Sequence, residues 1–68
     1  MNPTVLTERA ESVADQATCR TVDQAIVAFT ALNATPPTSV SDLRPYVRGD
    51  ISDYRIVRGV AAGPGCHA

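Results

Sequence analysis

A chain of 68 residues with 44% apolar residues and a net charge of -1 makes one small domain, able to bury only about 60% of its unfolded surface. It is too apolar for compositional disorder and too nearly neutral to carry an electrostatic footprint for nucleic acid. The aromatic residues are Phe29, Tyr46 and Tyr54, with no Trp, so Val, Ile, Leu and Ala must build the core.

No apolar run reaches the roughly 18 residues that a membrane span needs. Met1–Ala17 has neither the basic start nor the apolar centre of a secretory signal. If the two cysteines pair outside the cytosol, the sequence is expected to be a trimmed or mature piece of a longer chain.

Residues from about Thr4 to Leu32 predict one long helix. The stretch between Val5 and Asn33 is free of Pro and Gly and rich in Ala, and Thr4 is a candidate N-cap. Cys19, Val22, Ile26, Phe29 and Leu32 follow 3- and 4-residue spacing and form one apolar face. Leu6, Ala10, Val13 and Ala17 keep the same spacing on a different face. The half from Cys19 onward is therefore expected to pack on its own domain, and the earlier half to offer a thinner stripe to a partner. The alternative is that the first 16 residues form a solvated, fraying extension.

Asn33 is expected to cap the helix in the left-handed conformation, and Pro36-Pro37 forbids its continuation. Ser39 then opens a short second helical element, with Asp42 three residues on. Leu43, Tyr46 and Val47 form its inner face, and Pro45 is expected to limit it to about one turn. From Asp53 to Val60 the period switches to 2, which predicts a strand with Tyr54, Ile56, Arg58 and Val60 on one side. Gly63-Pro64-Gly65 signals a turn that would fold Cys66-His67-Ala68 back as a short partner strand. Ile51 either starts an earlier strand or plugs the core. The fold class is α+β, one long helix on a minimal antiparallel sheet.

Cys19 and Cys66 bracket nearly all of the folded region. One reading is a disulfide, which small domains with thin cores use as a staple; the other is two unrelated buried thiols. A pair would divide the single domain 1–68 into a protruding helical half, 1–18, and a disulfide-closed globular part, 19–68.

Little in the chain reads as chemistry. His67 is the sole histidine and lies next to Cys66 in sequence, unlike a nucleophile–base pair converging from separate elements. Two Cys and one His do not make a tetrahedral zinc site. The spacing of Asp42, Asp50 and Asp53 matches no calcium loop. Arg48-Gly49-Asp50 spells an integrin-binding tripeptide, and Asn33-Ala34-Thr35 has the form of a glycosylation acceptor with Pro36 behind it. Both are short enough to arise by chance. The residues imply no enzyme, no cofactor, no metal and no small-molecule substrate. The acidic bias of Met1–Ala34 against the basic bias of Arg44–Arg58 suits head-to-tail packing of identical subunits.

The stretch from Ala17 to Asn33, followed by Pro37-Thr38-Ser39-Val40-Ser41-Asp42-Leu43 and Pro45-Tyr46-Val47, resembles the globular part of type IV pilin-like proteins, the pseudopilins and minor pilins. The resemblance covers about Ala17 to Cys66. It implies a helix ending at Asn, a Pro-Thr-Ser corner, an Asp-Leu helical turn and a hairpin. Some members join a Cys early in the helix to one at the end of the hairpin, the places held by Cys19 and Cys66. The family's apolar amino-terminal segment and its processing site are not in this sequence. Ala34 stands where Gly is usual and Pro36 where Tyr is common. No counterpart of the major pseudopilins' calcium carboxylates follows Tyr54.

The resemblance implies a structural subunit of an extracytoplasmic filament or secretion pseudopilus. Its partners would be other pilin-like subunits, packed through Leu6, Ala10, Val13 and Ala17. Without the apolar segment, this chain is expected to have no membrane contact of its own. A second expectation is a small secreted, disulfide-stapled binder or inhibitor that uses Arg44–Arg58 as its contact surface. A third is an intracellular regulator in which the first helix would dimerise and Ser39–Val47 would act as a recognition helix, against which Pro45 and the missing basic patch both count.

Overall fold

The computed structural model describes residues 3–66, with side chains from residue 9 onward. One long helix, α1 (Pro3–Asn33), is followed by a 3₁₀ helix (Val40–Tyr46) and a hairpin of β1 (Arg55–Val57) and β2 (Val60–Ala62). The fold is α+β. At about 1.5 Å per residue, α1 accounts for most of the 49 Å long axis; the other two extents are 22 and 16 Å.

The core follows from helical periodicity. Cys19, Val22, Ala25 and Ile26 are buried on α1 and meet Leu43, Ile51, Tyr54 and Ala61 from the elements laid against it. Val22 and Leu43 are fully buried. Phe29 packs at the margin, its ring edge-to-face with Tyr46 at 5.9 Å. Leu32, expected on this face, is 73% exposed. The row Val22, Ile26 and Phe29 continues at Asn33, whose Nδ2 donates to the Phe29 carbonyl (2.9 Å) and to Tyr46 Oη (3.4 Å). Leu32 lies off that line.

The helix ends one residue later than its expected cap. Asn33 is still helical, and Ala34 takes the left-handed conformation with φ 58°. The Ala34 N–H donates back to the Thr30 carbonyl at 2.9 Å, closing the last turn.

The next element is longer than one turn. Ser39 is its extended N-cap residue, and Asp42 accepts from the N–H and hydroxyl of Thr38 (both 3.1 Å) and the N–H of Ser39 (3.4 Å). Pro45 sits near the far end of the seven residues, and the element stops after Tyr46. Leu43 points inward; Val40 and Val47 are half-buried beside it.

The hairpin corrects the expected strand layout. The two strands are antiparallel, with Val57 opposite Val60, Ile56 opposite Ala61 and Arg55 opposite Ala62. The loop is therefore Arg58-Gly59, with φ 53° and 80°. Two positive φ values are what a type I′ hairpin loop requires. The expected single strand through Val60 bends at this loop: Arg58 becomes a turn residue and Val60 is 57% exposed. Tyr54 and Ile56 do face inward, and Ile51 plugs the core outside any strand. Gly63-Pro64-Gly65 is a turn, with the Cys66 N–H donating to the Gly63 carbonyl (3.1 Å). It carries Cys66 onto α1 instead of starting a strand. His67 and Ala68, expected in that strand, lie outside the described residues.

Candidate functional site

The two features singled out by the sequence lie on α1, on opposite sides of its axis. Cys19 is disulfide-bonded to Cys66, with Cα atoms 5.5 Å apart. Cys19 is buried and Cys66 half-buried, so the bond closes the end of the hairpin segment against the middle of the helix. Free, separately buried thiols are excluded.

Three further contacts bring the chain onto the same stretch of helix. The Tyr54 hydroxyl donates to the Asp15 carbonyl at 3.3 Å. The Ala61 N–H, on the outer edge of β2, donates to Asp23 Oδ1 at 2.8 Å. Gly65 (φ 77°) lies so close to the helix backbone that a Cβ there would overlap Asp15 and Gln16. Together these seat the hairpin on α1 from Asp15 onward. Burial and the neighbouring Asp15 raise the Tyr54 phenol above its ordinary value.

The proposed packing stripe is left uncovered. Ala10, Val13 and Ala17 are exposed, Val13 at 66%. Arg9 to Ala14 are all exposed. Leu6, the fourth member, has its side chain outside the described residues.

Of the carboxylates considered as metal ligands, Asp42 is occupied as the cap of the 3₁₀ helix. Asp50 Oδ1 accepts the Ser52 N–H at 2.9 Å. Backbone N–H donors hold both carboxyls below the usual aspartate value. Asp53 is exposed. Among the described residues, no three His, Cys, Asp or Glu side chains are grouped to hold a metal ion. Arg48, Gly49 and Asp50 form an exposed loop, and Arg44, Arg55 and Arg58 are also exposed.

An open groove of about 580 Å³ runs between α1 and β2, lined by Gln16, Arg20, Asp23, Val60 and the disulfide. A smaller hollow of about 280 Å³ lies over Ile51 between Arg44 and Asp50. The groove's cysteines are consumed in the disulfide, and the hollow's Asp50 carboxylate is engaged by the adjacent Ser52. Among the described residues, no helix is long and apolar enough to cross a membrane.

The positioning roles of Asp23 and Gly65 are absent from the sequence-based expectations. Asp23 carries no local signal, since its partner Ala61 comes from 38 residues away. Gly65 is visible as a turn residue but not as a point of backbone contact.

A disulfide of this kind persists in oxidising compartments. No protein-family model, curated protein or solved structure matches the chain.

Proposed function

We propose that this chain is the globular part of a pilin-like subunit, a non-catalytic structural component of an extracytoplasmic filament or secretion pseudopilus. The observation that carries this reading is the division of α1. Its carboxyl-terminal half is clamped by the rest of the chain. Its amino-terminal half leaves Ala10, Val13 and Ala17 exposed, a stripe suited to pack against neighbouring subunits through small side chains. The tether from Cys19 to Cys66 supports the same reading: it fixes the hairpin to the helix by a bond that persists in compartments that keep disulfides oxidised.

The coding sequence upstream of Met1 tests this. The reading predicts an in-frame apolar segment of about 20 residues, the length of a membrane span, leading into α1. A coding sequence that starts at Met1 would overturn it.

A further inference from the structure

The outward side of α1 carries a second, longer pattern than the stripe at its beginning. Val13, Ala17, Arg20, Gln24, Val27 and Ala31 are spaced 4, 3, 4, 3 and 4 residues apart, the heptad spacing of a coiled-coil seam. All six are exposed, Val13 at 66% and Val27 at 70%. The buried residues Cys19, Val22, Ala25 and Ile26 occupy the other side of the same helix. So α1 packs its own domain with one face and presents a continuous seam with the other.

We infer that this seam pairs two copies of the chain, with their α1 helices antiparallel across a two-fold axis. Three properties of the residues select this occupant and this direction. Run in reverse, the seam is complementary to itself: Val13 meets Ala31, Ala17 meets Val27 and Arg20 meets Gln24. Each larger aliphatic residue faces an alanine, so the layers have equal bulk and the helices can approach closely. At the centre, the guanidinium of Arg20 donates to the Gln24 side-chain carbonyl of the other copy, twice by symmetry. A self-complementary patch of this kind is what a two-fold interface requires. Parallel pairing would set Arg20 on Arg20, a like-charge contact, and would stack Val on Val and Ala on Ala in uneven layers. The acid nearest the axis, Asp23, is turned to the hairpin and holds the Ala61 N–H.

The seam is about 27 Å long at 1.5 Å per residue and one helix wide. Such an area falls at the small end of specific interfaces, so the pairing is reversible and is sought between about 10 μM and 1 mM of chain. The inference does not rest on the filament reading. Val13 and Ala17 serve both, so a subunit packed in a filament through these residues is not paired in this way.

Sedimentation equilibrium over a concentration series tests it. The expected result is a monomer–dimer equilibrium in the stated range. Val27→Asp is expected to weaken it at least about tenfold, because it buries an unpaired carboxylate, while the exposed position leaves the melting curve unchanged. Gln24→Glu separates the two directions. Antiparallel pairing places the new carboxylate on Arg20 of the other copy and tightens the dimer, by an amount that shrinks with added salt. Parallel pairing sets the two new carboxylates against each other and loosens it. A monomer throughout the series, a dimer indifferent to Val27→Asp, or a dimer loosened by Gln24→Glu would overturn the inference. None of these outcomes bears on the upstream coding sequence.

Discussion

Ala34 and Gly65 are two of the residues whose positive φ lets this chain turn. Ala34 ends α1 at φ 58°, a conformation that costs an L-residue with a Cβ about 1–2 kcal/mol. Glycine there relieves that strain, offset in part by the greater freedom it gives the unfolded chain, about 0.4–1 kcal/mol. Ala34→Gly is therefore expected to stabilise the protein by about 0.5–1 kcal/mol, read as a raised urea midpoint at constant slope. Gly65 is the opposite case. It combines φ 77° with the closest approach of the tail to the helix backbone, and a Cβ would stand 2.6 Å from the Asp15 carbonyl oxygen. A backbone cannot move aside as a side-chain end can. Gly65→Ala is expected to cost at least about 2 kcal/mol in the same titration, since overpacking and left-handed strain add.

At the level of elements, α1 is legible because an amphipathic period of 3.6 records burial directly. Val22, Ile26 and Phe29 mark the inner face in the sequence as they do in the structure. The short helix is legible from Ser39 and Asp42, because caps act over three residues. The place of the hairpin is not. Its loop is Arg58-Gly59, and arginine gives no hint of the positive φ it adopts; the stronger punctuation, Gly63-Pro64-Gly65, serves the disulfide instead. The clasp of Asp23 on the Ala61 N–H has no local trace, because the residues that make it meet only in the folded chain.

The capping carboxylates also set a pH dependence. Asp42 and Asp50 accept backbone N–H donors that favour their ionised forms, so their folded values lie below the ordinary 3.8. A lowered carboxylate contributes stability that is complete above its unfolded value and is lost as pH falls through the lowered folded value. Thermal stability is therefore expected to stay level from neutral pH down to about 5 and then to fall as these groups protonate. Asp42→Asn keeps an acceptor but removes the charge. It is expected to flatten the acid limb in a series of melts from about pH 6 to pH 2.

On the scale of the whole molecule, the core is thin. The largest completely enclosed side chains are only a leucine and a valine, Leu43 and Val22, and two of the eight core positions are alanines. Such a core leans on its covalent staple. Cys66→Ala is expected to lower stability by about 2–5 kcal/mol, the usual loss when a small secreted domain loses a native disulfide, with calorimetry as the check. Both cysteines stand at the margins of the fold in the sequence, which makes the tether legible. That the tail lies flat on α1 at Asp15–Gln16 is not, because the contact depends on a glycine with no side chain to announce it.

Peptide-resolved amide hydrogen exchange, at a concentration low enough to keep the chain monomeric, tests the division of α1 most directly when run before and after reduction. Local opening is easy where a helix lacks tertiary contacts. Arg9 to Ala14 should therefore exchange rapidly in both states. Cys19 to Phe29 should be strongly protected with the disulfide intact and lose much of that protection on reduction. Equal protection along the whole of α1, or a profile that reduction leaves unchanged, would contradict the account.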